Sequence, residues 1–151
     1  MKLRRYNPED CKALATLFFD TVHTVNAKDY TKPQLDAWAT GAVDLAAWNQ
    51  SFLRQDTVVA EENGVVIGFG DMGDSGYLDR LYVHKNYQNK GTATAIVDRL
   101  EQNAATAGIT GFSTHASITA KPFFEQRGYR VVSENTVMRG GVKLTNFTME
   151  K

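Results

Sequence analysis

Gln88-Asn89-Lys90-Gly91-Thr92-Ala93 places an amide, a lysine and a glycine where an apolar strand pattern gives way to a helical one. The first turn of a helix offers backbone N–H groups that have no intrahelical acceptor, together with the positive end of the helix dipole. Such a site suits an anion, and phosphate best. Gly91 lets the backbone approach a ligand with no Cβ in the way, and Lys90 and Gln88 can add side-chain donors. No GxxxxGK[ST] run is present and no GxGxxG follows a strand, so neither a nucleotide P-loop nor a dinucleotide fingerprint is supported. A pyrophosphate remains a natural ligand.

The other reactive side chains are sparse. His23, His84, His115 and the lone Cys11 show no metal-ligand spacing, so no metal is expected. His84 follows a strand and reads as a surface residue, whereas His23 belongs to the first helix. His115 ends a strand, and histidine is the side-chain type suited to act as a base at neutral pH. Ser113 shares its strand face, but no nucleophile elbow surrounds that serine, which argues against a hydrolase triad. Cys11 falls among Ala13, Leu14 and Leu17 in a helical pattern and reads as a buried thiol. A single cysteine also excludes an intrachain disulfide.

The elements that must position these groups follow from periodicity. Asn7-Pro8-Glu9-Asp10 reads as a helix start, after which Leu14, Leu17, Phe18, Val22 and Val25 keep helical spacing. A second helix is expected from near Pro33, carrying Leu35, Trp38 and Ala42. Trp38 and Trp48 read as core residues, and Tyr30 as an exposed residue able to line a pocket. "TVVAEE", Asn63-Gly64 and "VVIGFGDM" form a hairpin around a tight turn, and "GYLDRLYV" supplies a further strand. Residues 91–107 are helical, with Ala93, Ile96, Val97, Leu100 and Ala104 as the apolar stripe. "GFSTHA" reads as a strand and "TAKPFFEQRGY" as a short helix stopped at Gly128. "YRVVSENTVM" and "VKLTNFTM" end the chain as antiparallel strands around Gly140-Gly141. The expected order is strand, two helices, three or more strands, helix, strand, helix, two strands. It predicts an α/β fold with a mixed, mainly antiparallel sheet flanked by helices.

The chain has 151 residues, seventeen basic and seventeen acidic side chains, 42% hydrophobic and 23% charged residues. This bounds it to one expected domain over 1–151 of ordinary globular composition. Zero net charge argues against a dedicated nucleic-acid or anionic-membrane partner. No apolar run reaches the length of a membrane span, no signal peptide is evident, and the cytoplasm is the expected compartment.

The loop at 88–93 resembles the [Q/R]-x-x-G-x-[G/A] loop of the GNAT N-acetyltransferase superfamily, which holds the pyrophosphate of acetyl-CoA. The preceding "LDRLYV" resembles that family's central strand, and "SITAKPFFEQRGY" its later helix. With "TNFTM", that last stretch is similar to a bacterial subgroup of acetyltransferases. The element order agrees along nearly the whole chain. The resemblance implies acetyl-CoA as co-substrate, with Leu81, Tyr82 and Val83 offering backbone groups to the pantetheine arm. Gln88, Asn89, Lys90, Gly91, Thr92 and Ala93 would hold the pyrophosphate. Ser117 stands where many members have a cofactor-binding Asn, and Phe124 where many have the Tyr that protonates the departing thiolate. Packing against the cofactor arm is then the role implied for Phe124.

An N-acetyltransferase of this kind brings a primary amine directly to the thioester. Deprotonating an alkylammonium at neutral pH costs about 4.6 kcal/mol, so a base is useful. The resemblance makes Asp79 the first candidate, acting through water, and His115 the second. The bland reading of Asp79 is a solvent-facing residue paired with Arg80 or Arg130. Asp71, Asp74 and Asp79 together suggest a cleft that attracts a cationic amine, although Asp71 and Asp74 also suit a plain Gly-rich turn. A small-molecule amine or a peptide is the expected acceptor, a small amine suiting a pocket closed by the segment around residues 26–40 and a protein an open groove, and a homodimer is compatible. Two other readings stay open: a non-catalytic acyl-CoA-binding or sensor module, and a protein N-acetyltransferase.

Overall fold

A computed structural model describes residues 1–151. The chain builds a seven-stranded sheet from β1 (Lys2–Arg5), β2 (Asp56–Glu62), β3 (Val65–Met72), β4 (Tyr77–Val83), β5 (Ser113–Ser117), β6 (Arg130–Arg139) and β7 (Val142–Glu150). Spatial order is β1-β2-β3-β4-β5-β7-β6, and every neighbouring pair is antiparallel except β4 and β5. Helices α1 (Cys11–Thr24), α2 (Lys32–Trp38), α3 (Leu45–Arg54), α4 (Thr92–Thr106) and α5 (Lys121–Gln126) flank it. The mixed, mainly antiparallel sheet expected from the pattern is therefore present.

Two apolar clusters sandwich the sheet, because β2 turns alternate side chains to opposite faces. Val58 and Ala60 join Ile96, Val97 and Leu100 of α4, while Val59 joins Leu14, Phe18 and Val22 of α1. Strand β3 presents Gly68 and Gly70 to α4. A Cβ at Gly70 would lie 2.9 Å from Ile96 Cγ2, so the missing side chain sets how closely the helix seats. The hairpin turn at Asn63-Gly64 has φ of 53° and 79°, the left-handed pair that matches strand twist.

The helical segment differs from expectation in two respects. The second helix stops at Trp38, and Ala42 lies outside it in the link to α3, a separate third helix. Thr31 and Asp44 each cap a new N-terminus through side-chain oxygens, so two starts sit where one was read. Tyr30 is not exposed but 7% accessible. Its hydroxyl donates to Thr145 O at 2.7 Å and accepts from Ile118 N at 2.9 Å, and these bonds draw it into the interior.

Candidate active site

Strands β4 and β5 run parallel but pair only at Tyr77↔Ser113 and Leu78↔Thr114. Beyond that vertex the β4 backbone has no strand partner on the β5 side, and a cleft of about 600 Å³ opens. One cause lies in β4 itself. Asp71 of β3 pairs with Arg80 and Met72 with Leu78, which leaves Asp79 as the extra residue of a β-bulge. A bulge bends its strand and re-aims its side chain. Asp79 is thereby exposed in the cleft lining, one residue past the last rung, and His115 is one residue past it on β5.

The cleft collects nearly all the residues singled out from the sequence. Leu81, Tyr82 and Val83 form one wall, and Gln88, Asn89, Gly91, Thr92 and Ala93 the far end. Ser117 and Phe124 close the other wall. Gln88 donates through Nε2 to Val83 O at 2.6 Å, so its side chain braces the loop against β4. Asn89 (φ 59°) and Gly91 (φ 84°) are both left-handed, and nothing lies within 4 Å of a Cβ built on Gly91. No side chain caps α4, whereas Thr31 and Asp44 cap α2 and α3. Its first amides are thus left for a ligand. Lys90 is exposed beside this end, its Nζ 5.5 Å from the Tyr87 ring centroid, and does not line the cleft.

Ser117 Oγ accepts from Ala120 N at 3.0 Å, which occupies it in the turn into α5. Phe124 is buried against Phe123 and Tyr129. Trp48 packs on Phe18 and Phe52, as expected of a core residue. Trp38 packs partly on the α1 core but also faces the cleft.

The cluster of three acids does not form. Asp71 is 0% accessible, and Arg80 closes on it through Nε (3.0 and 3.2 Å), Nη2 and the backbone N–H. Gln55 Nε2 donates to Asp71 at 2.6 Å and reaches Asp79 at 3.5 Å. Burial raises the Asp71 pKa against the opposing pull of Arg80 and Gln55. Arg80 is thus committed to Asp71, its guanidinium 4.1 Å from the Phe52 ring centroid, and forms no ion pair with Asp79. Asp74 lines a different groove with Arg4, Arg54 and Arg99. Of the proposed acids, Asp79 alone faces the cleft, where Lys28 is the other formally charged lining residue.

The segment around residues 26–40 was expected to close a pocket over a small amine, but neither the contacts that hold it nor Asn26 and Tyr77 were read from the sequence. The turn after α1 crosses the cleft: Thr119 Oγ1 donates to Asp29 Oδ2 at 2.8 Å, and Tyr30 bonds the β5–α5 link. Asn26, 6% accessible, lines the cleft from this strap. Tyr77 places its hydroxyl 2.8 Å from His115 Nδ1. The two-residue spacing of Tyr77 and Asp79 was the only available signal for it, whereas the strap depends on contacts remote in sequence.

Residues 26–151 match the family model described as "Acetyltransferase (GNAT) domain". The uncharacterized N-acetyltransferase YafP of Escherichia coli is 31% identical over 149 residues, covering 99% of this chain and 94% of that protein. The crystal structure of a GCN5-related N-acetyltransferase from Rhodopseudomonas palustris superposes with a TM-score of 0.94. It is 36% identical, over 99% of this chain and 94% of that one. The PaiA N-acetyltransferase of Thermoplasma acidophilum, solved with coenzyme A, shares the fold with a TM-score of 0.82 at 18% identity, over 99% of this chain and 97% of that one.

Proposed function

Because the chain belongs to the GNAT acetyltransferase family and is an acyltransferase, we propose that it moves the acetyl group of acetyl-CoA to a primary amine by direct attack, as one domain. The observation that carries this reading is the cleft between β4 and β5, with the uncapped α4 start at one end and Asp79 and His115 at its vertex. Open space at Gly91 and the free first-turn amides fit a pyrophosphate. Backbone groups of Leu81, Tyr82 and Val83, without a β5 partner, suit the amide-bearing pantetheine arm. Phe124 and Ala116 supply an apolar wall for it, while Lys90 adds charge from outside the cleft lining.

Asp79 takes the proton from the incoming ammonium, through water, and so serves the deprotonation that costs about 4.6 kcal/mol at neutral pH. Phe124 has no proton to give. A thiol of pKa near 8.5 leaves tolerably as thiolate, so the reaction survives that substitution.

The strap over residues 26–30 supports a small-molecule acceptor over a folded protein substrate, because it is bonded across the mouth at Asp29–Thr119 and Tyr30–Ile118. With one fixed anion and one fixed cation in the lining, attraction of a polycation loses its support.

The test combines binding and turnover. Acetyl-CoA is expected to raise the melting temperature, and CoA release is expected with at least one member of a panel of amines, amino acids and short peptides. A melting curve unmoved by millimolar acetyl-CoA would overturn the reading.

A further inference from the structure

We propose that Tyr77 is a positioning residue for acetyl transfer, holding His115 through Nδ1 so that Nε2 handles the proton between the amine and the departing sulfur. The inference rests on the acetyl-transfer reading above. Asp79 and His115 stand in register as the first residues beyond the β4–β5 vertex. They therefore flank the same point of the cleft, and need not be rival bases. His115 is exposed, and an exposed imidazole samples several rotamers. Tyr77 removes that freedom. Its hydroxyl is 2.8 Å from Nδ1, its ring meets the imidazole edge-on at 5.4 Å, and its backbone is fixed in the last paired rungs. With Nδ1 engaged, Nε2 is the nitrogen left for the cleft.

The charged groups that act on the Tyr77 hydroxyl are Asp79 on β4, Asp71 on β3 and Arg139 on β6. On β7 the register neighbour of His115 is the uncharged Thr148. Burial first, then Asp79 and Asp71, raise the Tyr77 pKa, with Arg139 opposing. The phenol stays neutral and can accept from Nδ1–H.

The step balances as follows. Asp79, through water, takes the first proton of the ammonium. The amine lone pair then forms the N–C bond, and the second proton passes from nitrogen to His115 Nε2. As the C–S bond breaks with its electron pair on sulfur, the imidazolium returns that proton to the thiolate, giving the amide and CoA thiol. His115 thereby does the work for which Phe124 has no hydroxyl.

The test uses the full chain as wild type, Tyr77→Phe, His115→Gln and the double variant. Tyr77→Phe is expected to lower kcat about tenfold with KM for acetyl-CoA unchanged, and to add no loss in the His115→Gln background. Nitrogen NMR of the His115 ring is expected to show Nδ1 losing its hydrogen-bonded shift in Tyr77→Phe. Independent losses in the double variant, or ring nitrogen shifts unchanged by Tyr77→Phe, would overturn the inference while leaving acetyl transfer intact. Wild type that binds acetyl-CoA yet releases no CoA with any amine would overturn both. Should Tyr77→Phe not fold, ring nitrogen shifts of wild-type His115 decide: a hydrogen-bonded Nδ1 supports the proposal and a freely exchanging tautomer mixture rejects it.

Discussion

Asp79 is the unpaired residue of the β4 bulge, so its carboxylate can be altered without removing a ladder rung. Asp79→Asn keeps the size and removes the proton acceptor. We expect kcat to fall roughly a hundredfold, while the thermal shift with acetyl-CoA stays at the wild-type value; a normal pH–rate profile in the variant would transfer the base role to His115. Gly91 offers the complementary case. Its φ of 84° is left-handed and the space above it is open, so Gly91→Val costs about 1–2 kcal/mol of strain and fills the proposed anion site. The expected outcome is a folded protein whose melting temperature no longer responds to acetyl-CoA. Both positions were singled out from the sequence, Gly91 by its place before a helix and Asp79 by the resemblance of its strand, and both line the cleft. Asp71 does not. Its reversal from cleft acid to buried partner of Arg80 depends on the one-residue shift between β3 and β4, which no spacing in either strand announces.

At the scale of elements, α4 rests on β3 where two glycines leave room. Gly70→Ala brings a methyl to 2.9 Å from Ile96 Cγ2. It is expected to destabilise the protein by about 1–3 kcal/mol, measured by urea unfolding. Gly111→Ala, with nothing within 4 Å, serves as the near-neutral control. The strap gives a second prediction. Asp29→Ala or Thr119→Ala opens the 2.8 Å bond across the cleft; KM for the amine is expected to rise severalfold, with each variant's acetyl-CoA shift retained. Equal KM values for wild type and both variants would dissociate the strap from acceptor binding. The hairpins were legible because Asn63-Gly64 and Gly140-Gly141 carry their own turn chemistry. Helix α3 was missed, and Tyr30 misplaced, because the 26–45 stretch is organised by caps and by bonds to Ile118 and Thr145 rather than by one apolar stripe.

For the molecule as a whole, acid stability divides among carboxylates of opposite sign. Hydrogen bonding by Arg4 lowers the Asp10 pKa against the cost of its burial. Burial would raise Glu101, but hydrogen bonds from Tyr129 and Lys151, with the Arg127 charge, leave it lowered. Groups lowered in the fold contribute stability above their unfolded values and lose it as pH falls through the folded ones. Asp71, raised by burial, runs the other way. The stability advantage of wild type over Arg4→Met should therefore be constant above about pH 5 and shrink below about pH 4, as followed by urea titration at each pH. The sheet has a further property of scale. Its two-rung vertex separates the strands in chain order, β1 to β4 on one side and β5 to β7 on the other. Strand β5 has its full partner only in β7, the last strand. During synthesis on the ribosome, the first wall of the cleft can fold early, but the second must wait for β7 to emerge. A ligand that spans both walls can therefore stabilise the completed chain but not a nascent one that still lacks β7.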